Sequence, residues 1–233
     1  MIEAPPLLTI KRSTTRPTAA QIAAFQNVPT GFVVDAMGGG GTLDRAIQPL
    51  APEALPGHAA GPALTADNGA GDIMATLAAL NFLQDGDILM IGFQGHQGCA
   101  SAGDRVTGMA RNCGAAGLIT DGPMRDYAGL VEVGLPCWCT GLTPNTPYGT
   151  GPGRVGLPTQ IGGRQVSTGD MVVADRDGVV IVPFAQIDAT IAKLEEVRAL
   201  EAALDAEVAA GLTLSDSVKA LITGDTVRFV DDP

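Results

Sequence analysis

The run from Ile88 to Gly122 constrains this chain more than any other part of it. Two apolar stretches, Ile88-Leu89-Met90-Ile91 and Gly117-Leu118-Ile119-Thr120, bracket a glycine-rich loop and a helical stretch. Strands that are apolar at successive positions have no solvent face, so they belong inside a sheet covered on both sides. Two such strands joined through a helix run parallel and cross over right-handed. The loop, Gly92 to Gly103, enters a helix at Asp104 to Cys113 that Gly114 closes. Asp121-Gly122-Pro123 then turns the chain after the second strand. This predicts a β-α-β centre and an α/β class.

The flanks supply the remaining elements. Thr18 is placed to cap a helix over 18–27, and Val28 to Met37 reads as a turn and a second helix. The Gly38 to Gly41 quartet ends that helix as a connector, with a ligand loop as the alternative. Gly61 to Ala66 is a short strand, and Asp72 to Phe82 has helical apolar spacing with Asp72 at the cap. Beyond Leu135 come short strands at 137–141, 155–156, 165–166 and 171–174, and a hairpin at Asp175-Arg176-Asp177-Gly178 leads into Val179 to Val182. Ala185 to Ala210 is a long amphipathic helix ended by Gly211. The expected organisation is an N-terminal extension (1–17), one compact domain (18–211) and a tail with a short helix (212–233).

Composition excludes several classes. The 14 Lys+Arg face 25 Asp+Glu, a net charge of −11, which argues against nucleic acid or an anionic membrane as partner. No apolar run reaches the length of a spanning helix or a signal peptide, so a soluble, cytoplasmic protein is expected. The four cysteines, Cys99, Cys113, Cys137 and Cys139, fit no zinc or redox spacing and read as reduced thiols packed as small hydrophobes. Aromatics are only 4% of the chain, which leaves Phe93 and Trp138 as candidates for shaping a pocket.

The chemistry concentrates between Gly95 and Tyr127. A helix start offers free backbone N–H groups to an anion. The next strand delivers Asp121, Arg125 and Asp126 towards the crevice at the carboxyl ends of the strands, where ligands of such sheets bind. An Asp can ligate a hard divalent cation with water completing the shell. An adjacent Arg offers a fork to a carboxylate or an enolate oxygen. A second Asp, Asp104, can hold metal-bound water or act as base. This set suits metal-assisted chemistry on a 2-oxo acid. The same spacing also fits a blander arrangement, with Asp121 and Asp126 capping turns and Arg125 in a surface ion pair.

These residues carry a resemblance. Asp104 and Arg125-Asp126 are separated by twenty residues, with Gly103 before the first Asp, Gly114 and Gly117 between, and Asp121-Gly122 before the pair. Val34-Asp35-Ala36, Gly61-Pro62-Ala63-Leu64-Thr65, Gly86-Asp87, Gly162-Gly163, Gly169-Asp170 and the run Asp175 to Pro183 accompany them in order. In these respects the chain resembles the family that holds the 4-hydroxy-4-methyl-2-oxoglutarate/4-carboxy-4-hydroxy-2-oxoadipate aldolases and the regulator of ribonuclease activity A. The resemblance implies a swivelling β/β/α (RraA-like) fold, with a C-terminal helix, assembled as a homotrimer or homohexamer with sites at subunit interfaces. It implies a class II lyase that uses Mg²⁺ or Mn²⁺ to cleave a 4-hydroxy-2-oxo acid to pyruvate and a second oxo acid, with oxaloacetate decarboxylation as a side activity.

By the same resemblance Asp126 would ligate the metal and Arg125 would bind the pyruvyl oxygens and steady the enolate. Asp104 would hold metal-bound water and move a proton. Gly103 and the backbone N–H groups of Arg105 and Val106 would receive the substrate carboxylate. A glutamate from the C-terminal helix of a neighbouring subunit would complete the site; Glu201 is the match counted back from Gly211, with Glu195 and Glu196 as alternatives. Phe93, Gln94, His96 and Gln97 in the loop, Arg105 after the first Asp, and Trp138 depart from the family's pattern and bear on the substrate. His96 could contact substrate or serve as an acid, or could be a loop histidine bonded to backbone. The competing function is a non-catalytic regulator of ribonuclease E, and a third is a related lyase acting on a different oxo acid.

Overall fold

The computed structural model describes residues 5–230, which divide into two units, one ending at Leu194 and the other starting at Glu195. The first unit runs β1 (Leu8–Ile10), α1 (Ala19–Ala24), α2 (Thr30–Ala36), β2 (Gln48–Pro49), β3 (Ala59–Asp67), α3 (Met74–Ala79), β4 (Ile88–Gly92), α4 (Asp104–Asn112), β5 (Gly117–Thr120), α5 (Tyr127–Val133) and β6 (Cys137–Cys139). It continues with β7 (Gly153–Val155), β8 (Thr159–Ile161), β9 (Arg164–Val166), β10 (Met171–Ala174), β11 (Val179–Val182) and the start of α6 (Ile187–Ala209). The second unit holds the rest of α6 and α7 (Asp216–Ile222).

The predicted β-α-β centre is present. The sheet runs β1-β7-β3-β4-β5-β6-β2, and β3, β4, β5 and β6 pair in parallel. Strand β4 is buried at every position. Its side chains alternate: Leu89 and Ile91 join a core with Ala75, Ala79, Val106 and Leu130 from the helices. Ile88 and Met90 join a second core with Trp138, Val172 and Ile181. The β10–β11 hairpin pairs antiparallel on β3, as the Asp-Arg-Asp-Gly signal predicted.

Local chemistry explains the boundaries. Thr18 caps α1 through a reciprocal box with Gln21, in which each side chain takes the other's backbone N–H. Asp72 does not sit at the helix start itself. Its Oδ1 accepts from Met74 N, while Oδ2 accepts from the backbone of Thr150 and Gly151, so this carboxylate ties a distant loop to α3. Four elements escape the sequence reading: β1, β2, α5 and the first arm of the β8–β9 hairpin. β1 lies within residues 1–17, so that segment contributes a strand beside β7 rather than standing apart as an extension. The thiols of Cys99, Cys113, Cys137 and Cys139 are free, and burial pushes Cys137 well above the ordinary thiol range and raises Cys139, consistent with small hydrophobes. No helix among the described residues is long and apolar enough to cross a membrane.

A buried ion pair anchors the same N-terminal segment at the foot of β4. Arg16 Nη2 and Nη1 meet the two carboxylate oxygens of Asp87 at 2.5 and 3.2 Å, and the Asp87 side chain is inaccessible. Burial raises the Asp87 carboxyl above its ordinary value, although Arg16 and the Gln84 N–H pull it down. Arg16→Ala is expected to cost about 3–5 kcal/mol at neutral pH, because it leaves a buried charge without a partner. A carboxyl with a raised folded pKa keeps its proton longer in the folded than in the unfolded chain. Removing Arg16 takes away a contact that lowers this pKa, so the variant's carboxyl lies higher still; its deficit is complete above its own pKa and shrinks as pH falls from there to the wild-type value. Urea unfolding of both proteins at neutral and acid pH measures this.

Candidate active site

The site forms where two loops at the carboxyl ends of β4 and β5 run side by side. Ser101 N and Oγ both donate to Pro123 O, at 2.8 and 3.0 Å. Arg125 N donates to Ala102 O at 3.1 Å. These bonds bring Gly103-Asp104, at the start of α4, beside Arg125-Asp126, which precedes α5. A cavity of about 290 Å³ opens there, lined by Gly103, Asp104, Arg105, Val106, Arg125 and Asp126 together with Ile73 and Pro147. The aspartates and arginine that spacing singled out thus share one crevice, at the small end of ligand-cavity sizes.

Close packing, read at the glycines, fixes the distances. A Cβ on Gly103 would lie 2.5 Å from Asp126 Oδ2 and 3.1 Å from Arg125 Cγ. A Cβ on Gly129 in α5 would lie 2.6 Å from Asp104 Oδ2 and 2.7 Å from its Cβ. Glycine at these two positions lets both carboxylates approach the neighbouring backbone. Arg125 Nε faces Asp126 Oδ2 at 3.3 Å, and Arg125 Nη1 donates to Thr146 Oγ1 at 2.8 Å. Both charged side chains remain about a third or more exposed, at 34% and 42%.

Asp126 is left-handed, at φ 65° and ψ 48°. That conformation is uncommon for a residue with a Cβ, is best tolerated by Asn and Asp, and recurs at functional sites. Asp126 occupies the position before α5 yet makes no capping bond with its side chain. Its carboxylate does not serve the helix, which removes the turn-cap reading for this residue.

Asp121 differs. Its Oδ1 accepts from Phe93 N at 2.6 Å and its Oδ2 from Gly95 N at 3.0 Å. Burial raises its pKa, with those N–H groups opposing. It therefore pins the loop after β4 and faces a larger cavity of about 620 Å³ that also holds Asp67 and Arg154. Of the acids lining it, Asp121 is engaged by backbone and Asp67 by Arg154.

Other expected positions fall as follows. Thr107 N makes the first helical bond of α4, to Gly103 O, which leaves the earlier N–H groups unbonded by the helix. Of these, Arg105 N donates to Asp104 Oδ1 at 2.6 Å, so an incoming carboxylate would have to replace Asp104 there. Phe93 and Trp138 do not shape the pocket: both are buried in the core, Phe93 against Gly122 and Trp138 with its Nε1 donating to Asp175 O. His96 lies edge-on to the Phe93 ring at 5.6 Å and is absent from the lining of the Arg125 cavity. Glu201, half-buried, and Glu195 and Glu196 stand on the part of α6 in the second unit.

The segment 141–148 was legible only as a spacer between strands, yet it supplies Thr146 and Pro147 to the site. Its Thr-Pro-Asn-Thr-Pro composition was the available signal of a rigid loop.

No three His, Cys, Asp or Glu side chains converge among the described residues, which rules out a closed, all-protein metal site there. One exposed carboxylate over a glycine, with a second close by, fits a hard cation that keeps most of its waters. Asp126 and Asp104, which line the same cavity, are the residues that could hold such an ion.

The RraA-like family model, described as Aldolase/RraA, matches residues 30–181. A Halalkalibacterium halodurans protein named "Putative 4-hydroxy-4-methyl-2-oxoglutarate aldolase" is 32% identical over 200 residues, which is 86% of this chain and 91% of that one. RraAS2 of Streptomyces coelicolor, described as an unusual member of the RNase ES inhibitor RraA protein family, superposes with a TM-score of 0.69 at 25% identity, over 86% of this chain and all of that one. The RNA-processing inhibitor RraA from Thermus thermophilis shares the fold, with a TM-score of 0.61 at 24% identity, over 68% and 94% of the two chains.

Proposed function

Because the chain belongs to the RraA-like family, we propose that it is a divalent-metal-dependent carbon–carbon lyase that cleaves a 4-hydroxy-2-oxo acid to pyruvate and a second oxo acid. The observation that carries this reading is the meeting of Asp104, Arg125 and Asp126 around Gly103 in one small cavity. Arg125 binds the 2-oxo acid head with the guanidinium edge that its protein partners leave open. Asp104 accepts the proton of the C4 hydroxyl. The C3–C4 bond then breaks, C4 becomes a carbonyl, and the electron pair passes to the C2 oxygen as an enolate beside Arg125. Protonation at C3 releases pyruvate. Mg²⁺ or Mn²⁺ at Asp126 supplies Lewis-acid polarisation of the 2-oxo group. Loss of CO₂ from oxaloacetate passes through the same enolate, so oxaloacetate decarboxylation belongs to the proposal.

We further propose that copies of this chain assemble as trimers or hexamers and that Glu201 reaches the cavity of a neighbouring copy. The name of the H. halodurans relative supports the lyase. The description of the S. coelicolor relative favours a second reading, a non-catalytic regulator of a ribonuclease. A pyruvate-release assay separates them. Chelation is expected to reduce the rate about a hundredfold or more, and added Mg²⁺ or Mn²⁺ to restore it. Cleavage that ignores the chelator defeats the metal-dependent mechanism. A protein that binds no divalent ion and cleaves no 2-oxo acid is the regulator.

A further inference from the structure

We propose that Thr146 is a positioning residue for Arg125, an inference that rests on the lyase reading of this cavity. The guanidinium is held at two of its three nitrogens: Nε by Asp126 and Nη1 by the Thr146 hydroxyl. Among the described residues, Nη2 has no partner. The Thr146 hydrogen bond, with the Asp126 ion pair at Nε, restrains the group and leaves Nη2, with the second N–H of Nη1, as a fork for the substrate oxygens.

The hydroxyl itself is held firmly. Pro147 confines Thr146 to extended backbone, and a β-branched side chain has little freedom at χ1. The residues on either side are stitched down: Ala100 N donates to Asn145 O at 3.0 Å, and Asn145 Nδ2 to Gly98 O at 2.8 Å. Beyond Pro147, Tyr148 N donates to Gly71 O and accepts in turn through its O from Ile73 N, at 2.8 and 2.9 Å. The strap thus bridges the loop that leads into Asp104 and the segment that contributes Ile73 to the cavity. Thr146 is itself exposed, and an exposed hydrogen bond adds little to stability. Its consequence falls on the arginine.

The arginine's share of binding grows as charge moves onto the C2 oxygen, so misorientation lowers kcat more than it raises KM. Thr146→Val keeps the shape and removes the hydroxyl; Thr146→Ser keeps the hydroxyl. In pyruvate release from oxaloacetate with Mg²⁺, Thr146→Val is expected to lower kcat about tenfold with KM within about twofold, and Thr146→Ser to recover most of the loss. Oxalate, which mimics the enolate, is expected to bind the Val variant about tenfold more weakly, with no change in melting temperature. Wild-type kcat and oxalate affinity in Thr146→Val, or a Ser variant as slow as the Val variant, overturns the assignment. Arg125→Lys distinguishes the two levels. If it is inactive while Thr146→Val is normal, only the role of Thr146 falls; if it is fully active, or the wild type neither binds oxalate nor releases pyruvate, the lyase reading falls too.

Discussion

Arg125→Ala is expected to lower kcat for pyruvate release by about a thousandfold while leaving the fold intact. The side chain is a third exposed and its partners, Asp126 and Thr146, lie at the mouth of the cavity, so its removal opens no void in the core. What disappears is the fixed positive group beside the oxygen on which charge develops. A group fixed in place before the charge develops is worth several kcal/mol to the transition state and much less to the ground state. KM should therefore change far less than kcat. Arg125→Lys keeps the charge but loses the planar fork, and should recover only a small part of the rate. Circular dichroism and thermal melting establish that the variant is folded; steady-state kinetics on oxaloacetate then give the loss. Full activity in the Ala variant would sink the mechanism.

Gly103→Ala should be nearly as damaging, for a reason of space alone. Gly103 has φ −138° and ψ −171°, extended backbone open to any residue, so alanine meets no backbone strain. The added methyl would sit 2.5 Å from Asp126 Oδ2 and within 3.3 Å of Arg125 Nε. Those atoms lie towards the ends of polar side chains, which can swing aside at little cost to folding. On the proposed mechanism, swinging aside takes the carboxylate away from the metal and turns the guanidinium. Mn²⁺ affinity, read by titration, should fall at least tenfold and pyruvate release about a hundredfold, with melting almost unchanged. Gly31→Ala in α2 is the control, since a methyl there meets nothing within 4 Å. Normal Mn²⁺ binding in Gly103→Ala would show that Asp126 does not hold the ion.

Much of the architecture was legible because local and tertiary preferences agree. The Ile88–Ile91 and Gly117–Thr120 runs are apolar for the reason the sheet requires, burial on both faces. Thr18 and Gln21 form the capping box their spacing calls for. Asp104 and Arg125-Asp126 meet in one cavity because they follow adjacent parallel strands, whose carboxyl ends meet by geometry.

The elements that escaped have no such agreement. Helix α5 is seven residues long, starts from a left-handed aspartate and contains Gly129, so its propensity is poor; what holds it is its approach to Asp104 and α4. Strand β1 follows Pro5-Pro6, pairs with β7, far along the chain, and packs Leu8 and Ile10 on the core. Asp121 was grouped with the other acids by proximity in sequence, but it directly follows β5, four residues before Arg125, and its carboxylate goes to the backbone of the preceding loop. Phe93 and Trp138 stood out because aromatics are scarce, and scarcity gave no information on direction: both point into the core.

The left-handed backbone at Asp126 narrows the alphabet available there before any chemistry is considered. Asparagine and glycine share that conformation readily, but neither carries a charge. Glutamate carries the charge, yet it tolerates the conformation less well and would push its carboxylate one methylene farther from a glycine that leaves no spare room. Aspartate alone among the twenty combines a short charged arm with ease in this twist of the chain. Conformation and reactivity therefore demand the same letter at position 126, and a lineage drifting away from catalysis could substitute asparagine there without disturbing the backbone.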